Sequence, residues 1–139
     1  MLDLGDSILN LPKLIFRLLL GQRLPLVEGT LTVRGLDQPM LIRRDAYGVP
    51  HIEAECEEDA WFGLGFCHGQ DRAFQLEGLL RVVRGTLAEL TGPSSLPVDR
   101  LSRRIGFYRA AQEQWPALSE EIRRWFDAYA RGINSGVHD

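Results

Sequence analysis

The stretch from Trp61 to Gly85 sets the hardest constraint in this sequence. Trp61, Phe62, Phe66, Phe74, Leu76, Leu79, Leu80 and Val83 recur there at mostly helical intervals. Yet Gly63, Gly65 and Gly69 lie inside the same stretch. Each glycine costs an isolated helix about 1 kcal/mol relative to alanine. A chain that keeps all three needs a compensating contact, and close packing against another backbone supplies one. The pattern therefore predicts a long helix over 58–84 whose glycines face a neighbouring segment.

Length bounds what can surround that helix. The 139 residues suffice for one domain of ordinary size. Hydrophobic residues make up 45% and charged residues 25%, the balance of a globular chain and not of a disordered or fibrous one. The formal net charge is −3, so no basic excess exists to grip a phosphate backbone, and nucleic acid is excluded as a partner. Cys56 and Cys67 form no C-x-x-C, and His51 and His68 complete no zinc spacing; both thiols read as small apolar filler.

The N-terminal region, residues 1–28, reads as an amphipathic helix over Ser7–Leu20 followed by a connection. Asn10, Pro12, Lys13 and Arg17 interrupt its apolar run, which is too short to span a bilayer. Asp3 and Asp6 make the start acidic and no small-residue cleavage site follows, which argues against a secretory signal and for the cytoplasm. A membrane-surface contact through residues 7–20, or an atypical export signal leading to the periplasm or outside, is the alternative.

Residues 29–139 read as α+β, with three short strands followed mainly by helices. Leu31–Arg34 alternates apolar and polar residues, Met40–Arg44 follows a turn-rich Gly35–Pro39, and His51–Glu53 follows Gly48-Val49-Pro50. The first two strands are expected to pair antiparallel. Thr86 and Glu89 match a capping box, predicting a short helix over 86–91, and Asp99 is placed to cap another. Ser119 precedes a helix expected over 119–136, with Ile122, Trp125, Phe126, Tyr129 and Ile133 on its buried stripe. Arg123, Arg124, Asp127 and Arg131 are expected to face away.

Chemistry-bearing residues are sparse. No G-x-S-x-G elbow, P-loop, H-E-x-x-H or EF-hand loop is present. The run Gly63 to Gly69 has the wrong last spacing for a dinucleotide fingerprint and sits inside a helix. Asp71 and Arg72 are adjacent, point differently from a helix, and read as buried polar ties of that helix to its neighbours. His51 and His68 read as structural histidines. Trp61, Phe62, Phe66 and Phe74 read as core, and Glu53, Glu55, Glu57, Glu58 and Asp59 as a solvated loop and helix start. No self-sufficient active site emerges from the residues themselves.

Several motifs in order add a family reading. Arg44-Asp45-Ala46-Tyr47-Gly48-Val49-Pro50-His51-Ile52 resembles the R-D-x-x-G-V-P-H-I opening of the penicillin acylase family. Asp59, Gly63-Leu64-Gly65-Phe66 and Gln70-Asp71-Arg72-Ala73-Phe74-Gln75-Leu76-Glu77 continue the resemblance. So do Arg81, Gly85, Leu87-Ala88-Glu89, Gly92, Asp99, Arg103-Arg104, Leu118-Ser119, Tyr129-Ala130, Gly132 and Asn134. Gly69, Leu76 and Leu80 depart from the family pattern at the level of packing.

The resemblance implies an N-terminal-nucleophile (Ntn) hydrolase whose precursor cleaves itself into α and β chains, with this chain the N-terminal part of the α subunit. It implies a place in an αββα sandwich. A serine at the head of the β chain would attack the amide of an N-acylated β-lactam, homoserine lactone or lipopeptide, with its own α-amine as base. No catalytic, substrate-binding or metal residue of this chain is assigned by the resemblance. No cofactor is required; calcium in the complete enzyme would take ligands outside this chain. The expected partners are a β chain from the same precursor and a small N-acylated substrate. The rival reading is a non-catalytic interaction module on the same scaffold.

Overall fold

A computed structural model describes residues 29–33, 36 and 38–138; the expected helix over Ser7–Leu20 lies outside them. Thr32–His138 forms one compact unit. Strands β1 (Leu41–Arg44) and β2 (Pro50–Glu53) open it, followed by helices α1 (Glu57–Arg84), α2 (Ala88–Thr91), α3 (Leu96–Ile105), α4 (Phe107–Gln114) and α5 (Glu120–His138). Short 3-10 turns at Pro93–Ser95 and Trp115–Ala117 join α2 to α3 and α4 to α5.

The hairpin corrects one expectation. Leu31–Val33 form no strand, and β1 pairs instead with β2, antiparallel, with Ile42 opposite Ile52 and Arg43 opposite His51. The reason is the tight turn between them. Gly48 sits at φ 78°, a left-handed conformation that favours glycine, and Pro50 restricts Val49 to an extended one. Two strands, not three, are therefore present among the described residues.

Helix α1 starts where expected. Cys56 caps it, its sulfur accepting the Asp59 amide at 3.4 Å, and Glu57, Glu58 and Asp59 sit at the positive end of the macrodipole. It ends at Gly85, which takes φ 69° and closes the helix onto the Arg81 and Val82 carbonyls. Between these ends Arg72 leaves helical geometry at φ −134°, ψ 15°, and kinks the helix. Beyond the kink the aromatic series loses its cover. Phe62 and Phe66 are buried, but Phe74 is 78% exposed and Trp61 40%. The core expectation thus holds for Phe62 and Phe66 and fails for Phe74, beyond the kink, and for Trp61, at the open side of the helix before it.

The glycines explain the packing. Helices α1 and α5 share the most extensive contact in the unit. A Cβ added to Gly65 would collide with the Tyr129 carbonyl oxygen, and one added to Gly69 with that of Ile133. The relation is mutual. Gly132 and Gly136 of α5 press on the Phe62 and Phe66 carbonyl oxygens of α1 in the same way. Four-residue spacing puts each glycine pair on one helix face. Gly63 points elsewhere, and a Cβ there would lie 2.8 Å from Met40 Sδ and 2.9 Å from Ile52 Cγ2. It admits the residues of the hairpin region to the helix surface. Phe62, Phe66 and Ala128 form the core, with Val33, Leu36, Met40 and Ile42 packed against it.

Two capping expectations are also corrected. Helix α2 begins after Leu87, and Thr86 makes no side-chain cap. Glu89 turns to Arg81, 3.0 Å away, instead of reaching back. Asp99 lies within α3 and caps the preceding helix from outside: its two carboxylate oxygens accept the Leu87 and Ala88 amides at 2.7 and 2.9 Å. The ion pair leaves Glu89 no reason to fold back, and Asp99 already satisfies the orphan amides. Ser119 does cap α5, its hydroxyl accepting the Ile122 amide at 3.3 Å.

These placements separate two kinds of helical glycine. Gly65→Ala should destabilise the unit by about 1–3 kcal/mol, because the new methyl meets backbone that cannot step aside. Gly78→Ala, where nothing lies within 4 Å of an added Cβ, should stabilise it by about 0.5–1 kcal/mol. Thermal melting of the two variants beside the parent checks both signs.

Candidate functional site

The residues singled out by sequence gather in two places: the hairpin turn with its anchor on α1, and a groove between α1 and α5. At the turn, the Asp45 carboxylate accepts the Tyr47 amide at 2.8 Å and the Val49 amide at 3.0 Å through Oδ1. Its Oδ2 lies 3.4 Å from His51 Nε2. The Gly48 amide donates to the Asp45 carbonyl at 2.9 Å, and the Asp45 amide to the Val49 carbonyl at 3.1 Å. This network accounts for aspartate, glycine and histidine at their spacing in the motif. The Val49 amide, with help from that of Tyr47 and from His51, holds the Asp45 carboxyl below its ordinary range.

Arg44 carries the turn onto α1. One guanidinium nitrogen donates to the Gly48 carbonyl at 3.1 Å and to Asp71 Oδ2 at 2.7 Å. The other reaches Asp71 Oδ1 at 3.1 Å and Gln70 Oε1 at 3.3 Å. Asp71 thus ties the long helix to the hairpin as the sequence suggests, but from an exposed position and not as a buried contact. Arg72 does not: its side chain is exposed and, among the described residues, meets Gln75 at 3.3 Å. The kink at Arg72 turns that residue outward immediately after the anchor point.

Asp59 departs from the solvated acidic run. It is 2% exposed, and its Oδ2 accepts the Gln38 amide at 3.0 Å and the Cys56 thiol at 3.2 Å. Burial among backbone donors converts an apparent helix-start charge into a fixed buried acceptor. Cys56 and Cys67 are both free, and burial pushes the Cys67 thiol up, keeping it protonated and unreactive. Among the described residues no group of three or more His, Cys, Asp or Glu is placed to hold a metal ion.

The groove has a volume of about 360 Å³. Trp61, Leu64 and His68 of α1 form one wall, and Ile122, Trp125, Phe126 and Tyr129 of α5 the other. Trp61 stacks near Trp125 at 6.2 Å between ring centroids, and Trp115 tilts against Phe126 at 6.1 Å. Two polar residues of the lining meet each other, with His68 Nδ1 2.8 Å from the Tyr129 hydroxyl. The α5 stripe therefore faces an open groove in part, with Phe126 54% exposed. Arg124 does not simply face away; it reaches Glu58 of α1 at 3.1 Å. Among the described residues, no nucleophile with an adjacent base stands in the groove or at the turn.

Residues 39–139 match the penicillin amidase family. The chain belongs to that family. The acyl-homoserine lactone acylase QuiP of Pseudomonas fluorescens is 43% identical over 112 residues, covering 81% of this chain and 14% of that protein. The penicillin acylase 2 proenzyme of Pseudomonas sp. strain SE83 is 39% identical over 112 residues, again 81% of this chain and 14% of that one. The solved thermostable penicillin G acylase of Alcaligenes faecalis aligns with a TM-score of 0.64 and 34% identity, covering 71% of this chain and 53% of that chain. The chain thus spans about a seventh of the length of these curated relatives. As a penicillin amidase family member it places the family's opening motif in a turn and a helix anchor, where the geometry does structural work.

Two outcomes follow from this geometry. Asp71→Ala should destabilise the unit by about 1 kcal/mol, since it removes the carboxylate that takes both guanidinium nitrogens of Arg44 at a solvent-accessible site. Arg72→Ala should stay within about 0.5 kcal/mol, and denaturant melts compare the two. For Asp45 the depressed carboxyl means that its stabilisation is present at neutral pH. It is lost as pH falls below the ordinary carboxylate value of about 4 and through the folded value. Amide exchange at Tyr47 and Val49 should rise over that acid range and stay flat in Asp45→Asn.

Proposed function

We propose that this chain forms the N-terminal part of the α subunit of an amidohydrolase that cleaves N-acylated substrates. The candidate substrates are acyl-homoserine lactones, acylated β-lactams and acylated lipopeptides. The carrying observation is the 43% identity to an acyl-homoserine lactone acylase across 81% of the chain, within only 14% of that relative. On this reading the remaining polypeptide of the same precursor supplies the nucleophile. A serine at the head of a β chain attacks the amide carbonyl, its own free α-amine takes the hydroxyl proton, and the leaving amine departs protonated. Donors in the β chain stabilise the tetrahedral oxyanion.

This chain's share of the work is positional. The Arg44–Asp71 anchor and the α1–α5 crossing hold a rigid unit against which the catalytic part can be set, and effective positioning is worth several kcal/mol in such reactions. No residue of this chain is given a catalytic, substrate or metal role in the proposal. Any calcium of the complete enzyme would take its ligands from outside this chain.

The test compares chain 1–139 alone with the complete precursor, using a phenylacetyl chromogenic amide and a long-chain acyl-homoserine lactone. The isolated chain should show no turnover. The complete precursor should mature into two chains, the second beginning with serine by mass spectrometry, and hydrolyse at least one of the two substrates. Turnover by chain 1–139 alone would refute the division of labour. A complete precursor that matures no serine-headed chain and hydrolyses neither substrate would favour the non-catalytic module.

A further inference from the structure

Helix α3 is built inside out. With about 100° between successive residues, Asp99, Ser102 and Arg103 share one side of it, and that side faces the unit. Asp99 and Ser102 are buried; Asp99 accepts the Leu87 and Ala88 amides, and Arg103 donates to the Gly85 carbonyl. The opposite side is apolar and open. Leu101 is 57% exposed and Ile105 52%, one turn apart, with the exposed Val98 beside them. Arg100 and Arg104, also one turn apart, run along the border of that side, and neither forms an ion pair among the described residues. We propose that this outer face of α3 docks on the surface of an anionic lipid bilayer. Val98, Leu101 and Ile105 enter the headgroup boundary, and Arg100 and Arg104 meet lipid phosphates.

Charge selects this occupant. Residues 96–109 hold four arginines and a single acid, in a chain whose net charge is −3. The acid is Asp99, and its carboxylate is turned inward onto backbone amides. An apolar stripe bordered by arginines and free of outward acids is what an interfacial helix presents to anionic headgroups. The planar guanidinium fork suits phosphate oxygens. A second copy of the chain fits worse. A two-fold contact through Leu101 and Ile105 would bring Arg100 and Arg104 of both copies together, and like charges oppose it. The open surface also continues past α3, since Phe107 and Tyr108 follow directly beyond Gly106 and are exposed. Contact is with the bilayer surface: no described helix is long and apolar enough to cross a membrane. Long acyl chains of the candidate substrates dissolve in the same bilayer, so docking brings the enzyme to them; the docking itself does not depend on the acylase reading.

The test is co-sedimentation of the complete protein with lipid vesicles. Vesicles of phosphatidylcholine mixed with phosphatidylserine should bind it roughly tenfold or more tightly than phosphatidylcholine alone, and added salt should weaken the difference. Arg100→Gln combined with Arg104→Gln should weaken binding to the mixed vesicles by about 25-fold, about fivefold for each arginine lost. Leu101→Gln combined with Ile105→Gln should remove binding to both kinds of vesicle. All four positions are exposed, so both double variants should melt with the parent; if the leucine–isoleucine pair does not fold, the arginine pair decides alone. A parent protein that binds neither kind of vesicle would overturn the proposal, as it must if other polypeptide covers this face. Undiminished binding by the double variants would also overturn it and move the contact to other residues, such as 7–20. So would a concentration-dependent dimer of the parent that Leu101→Gln with Ile105→Gln dissociates, which would give the face to a second copy.

Discussion

Backbone-to-backbone contact between α1 and α5 is the constraint on which the rest of the unit depends. Gly65 and Gly69 meet the Tyr129 and Ile133 carbonyls, and Gly132 and Gly136 meet those of Phe62 and Phe66. With no side chain on either side of the contact, the crossing point cannot be adjusted by rotamer changes. It fixes the spacing of the helices, and so the depth of the groove above the crossing. It also brings Phe62 and Phe66 against Ala128 to make the small core. Loss of helix propensity at the glycines is offset by dispersion contact along the whole line of approach.

Hydrophobic burial alone would not make this unit. Its core is a handful of side chains, while Phe74, Leu79, Leu101, Ile105 and Phe107 remain exposed. Specific polar devices do much of the positioning. Arg44 joins the turn to α1, Asp59 holds the Gln38 amide against the helix start, and Arg103 Nε donates to the Gly85 carbonyl at 2.8 Å. Arg44 and Asp59 each use a charged group with two or more partners, and charge-assisted hydrogen bonds of this kind are the stronger ones. Most of these devices, and the glycines Gly63 and Gly65, lie within the stretch that matches the penicillin amidase family.

Much of this is legible in the sequence, and the failures have physical causes. The long helix, its terminal Gly85, the capping Ser119 and the need of Gly65 and Gly69 for close contact follow from local rules. The partner glycines do not announce themselves: Gly132 and Gly136 repeat the spacing of Gly65 and Gly69, and that match is the signal that could have paired the helices. Phe74 reads as core because periodicity continues through Arg72, and nothing local reveals that the backbone kinks there. Asp99 reads as a cap of its own neighbourhood, but its partners stand eleven and twelve residues earlier. Asp59 reads as a solvated acid because only the fold brings Gln38 to it. Leu31–Val33, where a strand is expected, form none, because alternation over so short a run is weaker than a turn that glycine and proline both specify. Residue by residue, the candidate site shows contacts that hold the fold.

Helix α2 gives the folding of this unit an order in time. It has four residues, Ala88–Thr91, and a helix that short does not nucleate by itself in water. Its first amides are held by Asp99, which reaches them only when α3 has turned back alongside. The Gly85 carbonyl just before it waits for Arg103 of the same helix. The one-turn helix is therefore a consequence of α3 docking and cannot precede it. During refolding the Leu87 and Ala88 amides should gain protection no earlier than α3, so that a segment later in the sequence sets when an earlier one is ordered.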